Sequence, residues 1–127
     1  MRGPLLHVTN DRTGEVLGDA IREARSLFER VRGLLGRRGL ASGEGLWIEP
    51  CSSIHMFFMR FAIDAVFTDR ERRVVRVVPC LKPWRVAIGG RGARAVLELP
   101  AGALERSATR AGDLLRVSQA GDRARRG

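Results

Sequence analysis

The feature that most constrains the fold is a series of short, β-prone segments that begins after Gly43. These segments are rich in valine, isoleucine, phenylalanine and tryptophan, and turn-forming residues separate them at a spacing of about ten residues. They are GLWIE (45–49), MFFMRF (56–61), DAVFTD (64–69), RVVRVV (73–78), WRVAI (84–88), RAVLEL (94–99) and DLLRV (113–117). The pattern predicts a mainly β protein, built as an antiparallel β sandwich or a partly open barrel.

The clearest supersecondary element is a hairpin. The runs 64–69 and 73–78 flank a short charged turn at 70–72, which is the arrangement of two paired antiparallel strands. Arg73 and Arg76 do not alternate with the valines of the second run, so one face of this strand is not fully apolar. We therefore expect this strand to be an edge strand or to contain a β-bulge.

The N-terminal part is predicted to contain two strands and one short helix. Residues 4–8 and 16–24 are β-prone and are joined by a polar turn that contains Gly14. An alternative is one helix over 20–35, since the apolar residues of that segment fall on one helical face. Ser26 and Glu29 have the spacing of a capping box, which favours a helix from about Leu27 to 36 or 39.

The domain organisation predicted from the sequence is simple. The 127 residues suffice for one domain, which we assign to 1–117, with a short helical turn at 103–108 between the last strands. The segment 118–127 is basic, and we expect it to be a disordered tail.

Charge is the extreme property of this chain. It has 23 lysine and arginine residues against 14 aspartate and glutamate residues, a net charge of +9, and Lys82 is the sole lysine. A positive field of this size attracts anionic partners, so a nucleic-acid-binding protein is possible. The arginines are spread along the whole sequence and form no dense block, so we do not favour this function.

Other function classes are excluded or disfavoured. No run approaches the ~20 apolar residues of a membrane-spanning helix, and we expect no membrane partner. The N-terminal residues lack the apolar stretch of a secretory signal, which indicates a cytoplasmic protein. Two cysteines, Cys51 and Cys80, are too few for a disulfide scaffold, and their spacing to His55 lacks the second ligand pair of a zinc site. We therefore expect neither a metal nor another cofactor.

Several segments together resemble a known family. They are RGLLGRRGL, GEGLWI, SIHMFFMRFAIDAVF, VVRVVPCLKPW, GARAVLELPAG and AGDLL, in this order, and they cover roughly residues 5–117. The combination resembles the bacterial and archaeal family known as domain of unknown function 192. The resemblance implies a compact, mostly β, jelly-roll-like sandwich, and it implies no particular activity.

The candidate site residues lie in the aromatic stretch 51–67, where ionisable side chains occur among phenylalanines and methionines. In an extended chain, Arg60 and Asp64 share one face of a strand. One interpretation is a structural ion pair; the other is a pocket in which Arg60 binds a carboxylate or phosphate and Asp64 orients it. His55 is either a hydrogen-bonded strand-start residue, a donor to a ligand, or a general base beside Asp64 or Glu98.

Trp84 follows Lys82 and Pro83, an arrangement that predicts a fixed turn presenting an indole ring. The ring belongs either to the core or to a binding surface beside the cations. Lys82, Arg94 and Glu98 are secondary candidates, and an Arg94–Glu98 salt bridge is the simplest interpretation of that pair. Our leading hypothesis is a binding module with a pocket for a small anionic or polyhydroxylated ligand, formed by His55, Arg60, Asp64 and Trp84. The alternatives are an acid–base enzyme that uses His55 and a carboxylate, and a nucleic-acid-binding protein.

Overall fold

The computed structural model describes residues 4–26, 34 and 36–119. Within these residues the chain forms nine strands and one short helix. They are β1 (Leu6–Asn10), β2 (Val16–Ala24), β3 (Glu44–Ile48), β4 (Ser53–His55), β5 (Ile63–Thr68), β6 (Val74–Leu81), β7 (Val86–Ile88), β8 (Ala95–Pro100), α1 (Ala103–Ser107) and β9 (Leu115–Gln119).

Seven of the strands form one curled sheet with the order β6-β5-β8-β3-β2-β1-β9, and β4 pairs with β7 in a separate two-stranded ribbon. The mainly β fold predicted from the sequence is confirmed, in the form of a half-barrel sheet with one short helix. Neighbouring strands are antiparallel except β2 and β3, which are parallel. A parallel pair needs a long crossover connection, and the segment 25–43 supplies it.

Both faces of the sheet are covered by apolar side chains. One cluster includes Trp47, Val66 and Leu97 and continues into α1 through Leu104. The cluster on the opposite face includes side chains from the sheet and from the two-stranded ribbon: Leu46, Ile48, Ile63, Phe67 and Val96 from the sheet, and Ile54, Met56 and Ala87 from the ribbon. The ribbon is therefore anchored to the sheet by its inward side chains, and its other face is available to solvent.

The predicted strand–turn–strand at the N-terminus is confirmed. β1 and β2 are antiparallel, and Gly14 in the turn between them has a φ of 75°, which glycine adopts without strain. The alternative helix from Ala20 is wrong, because Ala20–Ala24 pair with Glu44–Ile48 in the sheet. The helix expected from about Leu27 lies outside the described residues, apart from its end: Leu34 is helical and buried, and residues 36–39 are not helical.

The predicted hairpin is confirmed as β5 and β6. Its turn is closed by Asp69, whose side chain accepts the N–H groups of Glu71 and Arg73. β6 is one of the two edge strands of the sheet, and its pairing with β5 contains register shifts. Both properties expected from the positions of the arginines are thus present. The predicted helical turn is also confirmed, as α1.

Two predicted strand boundaries are wrong. The run 56–61 is not a strand, because β4 ends at His55 and the chain then turns at Phe58, which has a φ of 65°. This turn removes the alternation of faces on which the predicted Arg60–Asp64 pair depended. At the C-terminus, β9 continues to Gln119, two residues into the segment assigned to the tail, because Leu6 and His7 pair with Gln119 and Ser118.

Candidate functional site

The aromatic ribbon is the name we use for β4 and β7 together with two adjacent turns. One turn, 56–59, follows β4, and the other, 82–85, precedes β7. Two backbone hydrogen bonds join the turns. Trp84 donates its N–H to the carbonyl oxygen of Met56, and Met56 donates its N–H to the carbonyl oxygen of Arg85, both at 2.7 Å. The Met56 side chain is completely buried beneath them. The tip of the ribbon is therefore fixed from both the backbone and the core.

Three aromatic side chains at this tip are exposed, and the two phenylalanine rings both contact the tryptophan ring. Phe57, Phe58 and Trp84 are 42%, 69% and 59% exposed. The ring of Trp84 lies 6.0 Å from that of Phe57 and 4.9 Å from that of Phe58, measured between centroids. Large aromatic rings usually lie in the interior, so this contiguous exposed group is the candidate binding surface.

The strand register adds two aliphatic side chains to this surface. Val86 is paired with His55 and Ile88 with Ser53, so these four residues share the outer face of the ribbon. Val86 and Ile88 are 55% and 61% exposed, whereas Ala87 between them is buried. Of the six exposed large hydrophobic side chains in the described part of the chain, five lie on the aromatic ribbon, and Val16 is the sixth.

The two most exposed aromatic residues have an unfavourable backbone conformation. Phe58 and Trp84 have φ values of 65° and 69°, in the left-handed region that disfavours residues with a Cβ. Such a conformation costs roughly 1–2 kcal/mol per residue. Glycine would adopt this conformation without the cost. The folded state therefore tolerates backbone strain at Phe58 and Trp84, where it exposes an aromatic side chain to solvent.

The segments that form the ribbon are purely basic. Residues 50–63 and 72–97 contain no aspartate or glutamate. Arg60, Lys82 and Arg85 are exposed, and none of them is in an ion pair within the described residues. Arg76 of β6 donates a hydrogen bond to the carbonyl oxygen of Ile88. The apolar surface is thus accompanied by positive charge that internal carboxylates do not neutralise.

His55 lies at the base of the aromatic group. Its ring stacks on Phe57 at a centroid distance of 4.7 Å, and its Nδ1 accepts the N–H of Phe57 at 3.3 Å. An Nδ1 that accepts a hydrogen bond carries no proton, so the neutral ring carries its proton on Nε2. His55 can therefore act as a hydrogen-bond donor through Nε2.

Asp64 does not belong to this surface. Its side chain is 1% exposed; Oδ1 accepts the N–H of Cys80 at 2.8 Å, and Oδ2 accepts the N–H groups of Gly102 and Leu104 at 3.0 and 2.8 Å. Within the described residues, Asp64 forms no ion pair with Arg60. The predicted pairing is wrong, and Asp64 instead connects the end of β6 to the start of α1.

The predicted Arg94–Glu98 salt bridge is also wrong. Arg94 lies 4.0 Å from Glu49, measured from Nε to Oε2, and its side chain is half exposed. Glu98 is completely buried in β8, between β3 and β5. The Arg94 side chain is half exposed and Glu98 is buried, so the two side chains lie in different environments.

The described residues include neither a group of metal ligands nor a helix able to cross a membrane. Within residues 4–26, 34 and 36–119, no three histidine, cysteine, aspartate or glutamate side chains lie together as metal ligands. Met56 and Met59 are buried members of the apolar core. No helix in the part of the chain that the structure describes is long and apolar enough to cross a membrane.

One groove lies away from all the predicted site residues. It has a volume of about 280 Å³ and lies between β2 and α1, where Asp19, Ser42 and Arg106 line it together with apolar residues. His55, Arg60, Asp64 and Trp84 do not contribute to it.

Comparison with known proteins places the chain in a family. Residues 8–117 match domain of unknown function 192, described as an uncharacterised ACR. The chain belongs to this family. A UPF0127 protein of Pyrococcus furiosus is 32% identical over 87% of this chain and 95% of its own length, and one of Pyrococcus horikoshii is 36% identical over 76% and 85%. The chain also matches 64% of the length of a relative from Thermococcus sibiricus, at 33% identity. The resemblance inferred from the sequence is confirmed.

Two solved structures share the fold of this family member. A Novosphingobium aromaticivorans protein of unknown function aligns with a TM-score of 0.74 at 24% identity, covering 87% of this chain and 82% of its own. A Sinorhizobium meliloti protein, proposed to be a transcription regulator, aligns with a TM-score of 0.77 at 18% identity, covering 92% and 97%. At these identities the likeness concerns the fold alone.

Four residues of the candidate surface were not among the predicted site residues. Phe57 and Phe58 were assigned to a strand, and Val86 and Ile88 were not singled out at all. One sequence signal for Val86 and Ile88 is the small alanine between them. Ala87 is the buried residue of β7, and its two larger neighbours are exposed. A second is the run 72–97, which contains seven cations and no acidic residue.

Proposed function

We propose that this protein is a non-catalytic binding module whose site is the aromatic ribbon. The ligand is small and combines an apolar or planar part with an anionic or hydroxyl-bearing part. The observation that carries the proposal is the exposed aromatic group in which Phe57 and Phe58 both contact Trp84. Stacking on such rings contributes to binding, and Arg60 and Lys82 lie nearby in sequence to attract the charge.

The acid–base alternative has less support than the binding module. His55 is the base in that mechanism, and Asp64 and Glu98 are the carboxylates considered as its partners. Both carboxylates are almost completely buried, and the oxygens of Asp64 already accept three backbone N–H groups. A substrate at the protein surface cannot reach them without rearrangement of the core.

Tryptophan fluorescence and thermal unfolding test the proposal directly. Trp84 is exposed and Trp47 is 5% exposed, so a ligand at the ribbon alters the emission of Trp84. The probes are phenyl phosphate and phenyl β-glucuronide, with neutral phenyl β-glucoside for comparison. We expect the anions to change the emission and raise the Tm, and Trp84→Phe to remove the emission change. Absence of both responses for every probe contradicts the proposal.

Three arginine variants distinguish binding at the aromatic ribbon from nonspecific attraction of anions by the net positive charge of the chain. Arg60→Gln and Arg85→Gln each remove one cation at or beside the ribbon, whereas Arg70→Gln removes one from the β5–β6 turn. We expect the ribbon variants to weaken binding of the anionic probes severalfold and Arg70→Gln to leave it unchanged. Equal weakening by all three variants would assign the response to the net charge of the chain.

A further inference from the structure

We infer that the aromatic ribbon is a docking surface for an anionic lipid bilayer, although the sequence, which has no membrane-spanning run, led us to expect no membrane partner. The inference rests on the proposed function, because it takes the ribbon as the binding site and identifies its ligand as a lipid with an acidic headgroup. A phospholipid of this kind has the negative charge and the apolar part that the site requires. It also brings an extended apolar layer, which a small soluble ligand lacks.

The chemical mixture on the ribbon favours a bilayer over other anionic partners. Nucleic acid bases and sugars stack on aromatic rings, but they make little use of exposed aliphatic side chains. Val86 and Ile88 are as exposed as Trp84 and share the outer face of β4 and β7. In the interfacial region of a bilayer, aliphatic side chains reach the acyl chains and tryptophan lies at the headgroup level.

The charges on and beside the aromatic ribbon indicate that the membrane it binds is anionic. Arg60, Lys82 and Arg85 are exposed cations in segments that carry no acidic residue. Each such cation near an anionic membrane surface strengthens binding by about fivefold. Docking of a second copy through the same face is disfavoured, because a symmetric contact would bring two sets of like charges together.

The ribbon is also organised in advance for this contact. Ile54 and Ala87 bury its inner face against the sheet, and the hydrogen bond from Trp84 to Met56 holds the two turns together. The exposed rings therefore keep their positions without support from a partner. A rigid apolar group loses little conformational freedom on insertion, so less of the binding energy is spent on ordering.

Co-sedimentation of the full chain with vesicles is the first test. One set of vesicles contains phosphatidylcholine alone, and the other contains about 30% phosphatidylglycerol. We expect recruitment to the anionic vesicles, together with a blue shift of tryptophan emission and quenching by lipids brominated along the acyl chains. Trp84→Phe removes both fluorescence signals because Trp47 is buried. Recruitment without the shift and the quenching overturns the inference, since it shows attraction of charge without insertion.

Matched variants test whether the apolar face drives the binding. Ile88→Ser shortens an aliphatic side chain on the ribbon, and Val16→Ser does the same to an exposed side chain outside it. We expect Ile88→Ser to lower the partition coefficient about tenfold and Val16→Ser to leave it unchanged. Equal effects of the two variants overturn the inference. A circular dichroism spectrum and the Tm of each variant confirm that it is folded.

A soluble lipid distinguishes failure of the inference from failure of the proposed function. Dihexanoylphosphatidylglycerol, used below its micelle concentration, presents the same headgroup without a bilayer. A fluorescence response to this lipid without vesicle binding overturns membrane docking and supports the small-ligand function. No response to the soluble lipid, to the vesicles or to the phenyl anions overturns both proposals. A response to oligothymidylate alone, without vesicle binding, assigns the ribbon to nucleic acid and also overturns the inference.

Discussion

Arg12 and Asp113 lie 101 residues apart in the sequence, and the Nε of Arg12 is 2.7 Å from Oδ1 of Asp113. Asp113 also accepts hydrogen bonds from the side-chain amide of Asn10 and from the backbone N–H of Arg110. The carboxylate is 4% exposed. It joins the turn after β1 to the loop before β9, so the two ends of the described chain are connected by polar contacts as well as by strand pairing.

The first prediction concerns the pH dependence of stability. The hydrogen bond from Arg12, followed by those from Asn10 and Arg110, lowers the pKa of Asp113 well below its usual range, although burial opposes this shift. A lowered pKa in the folded state stabilises the protein above the pKa of the unfolded chain, about 4, and this contribution is lost as the pH falls below it. We expect the free energy of unfolding, measured with urea, to begin to fall near about pH 5 and to continue to fall below about pH 3.

Asp113→Asn tests the assignment of this effect. The variant loses a charge-assisted contact, so we expect a loss of about 2 kcal/mol at neutral pH and a weaker dependence on acid. Asp11→Asn is the matched control, since Asp11 pairs with Arg116 where both side chains are exposed. Its effect is expected to stay below about 1 kcal/mol. A wild-type acid dependence in Asp113→Asn would assign the effect to other carboxylates.

The second prediction is that substitutions of Asp64 and Arg60 have different effects on the free energy of unfolding. Asp64→Asn places an N–H₂ group where the carboxylate accepts backbone N–H groups, so we expect a loss of about 2–3 kcal/mol in urea unfolding. Arg60→Gln changes an exposed side chain without an ion pair among the described residues, and we expect a change below about 0.5 kcal/mol. If the two residues formed the ion pair, both variants would be destabilised to a similar degree.

The third prediction concerns backbone strain at the tip of the ribbon. Phe58 has a positive φ and Phe57 does not. Glycine relieves strain at the first position, whereas alanine retains it, so we expect Phe58→Gly to be more stable than Phe58→Ala by about 1 kcal/mol. At position 57 the order is reversed, because glycine only adds freedom to the unfolded chain. Thermal unfolding of the four variants checks this, and the same order at both positions contradicts it.

The fourth prediction concerns the local electrostatic potential. Trp84 lies between Lys82 and Arg85 in sequence and is accessible to solutes, while Trp47 is buried and donates its Nε1–H to Glu49. We expect iodide to quench the accessible fraction of emission more strongly than caesium does, because the anion is concentrated near these cations. High salt reduces the difference. Equal quenching by the two ions at low salt would contradict a positive potential at the ribbon.

Much of the fold could be predicted from local sequence. The hairpin β5–β6 follows from two β-prone runs around a charged turn, and its irregular edge follows from the positions of Arg73 and Arg76. β1 and β2 follow from alternating runs around Gly14. The parallel pairing of β2 with β3 could not be predicted in this way, because it depends on the path of a long connection rather than on the strands themselves.

The candidate site could be predicted only in part. Trp84 was expected in a fixed turn beside a lysine, and the hydrogen bonds of the 82–85 turn provide it. Arg60 and Asp64 were expected together, because an extended chain from 55 to 64 would align them. The left-handed conformation of Phe58 breaks that alignment, and no residue preference signals it, since phenylalanine rarely adopts it. A conformation that tertiary contacts impose cannot be predicted from the local sequence of residues 55–64.

The pairing of β1 with β9 has a consequence for synthesis of the chain. β1 is made first among the described strands, and the strand that covers its outer edge is made last. A growing polypeptide on the ribosome therefore keeps the N–H and C=O groups of Leu6–Asn10 unpaired on one side until nearly all the other strands have emerged. Open strand edges can pair with neighbouring chains, so the unfinished chain exposes a pairing edge on β1 that β9 covers in the finished protein.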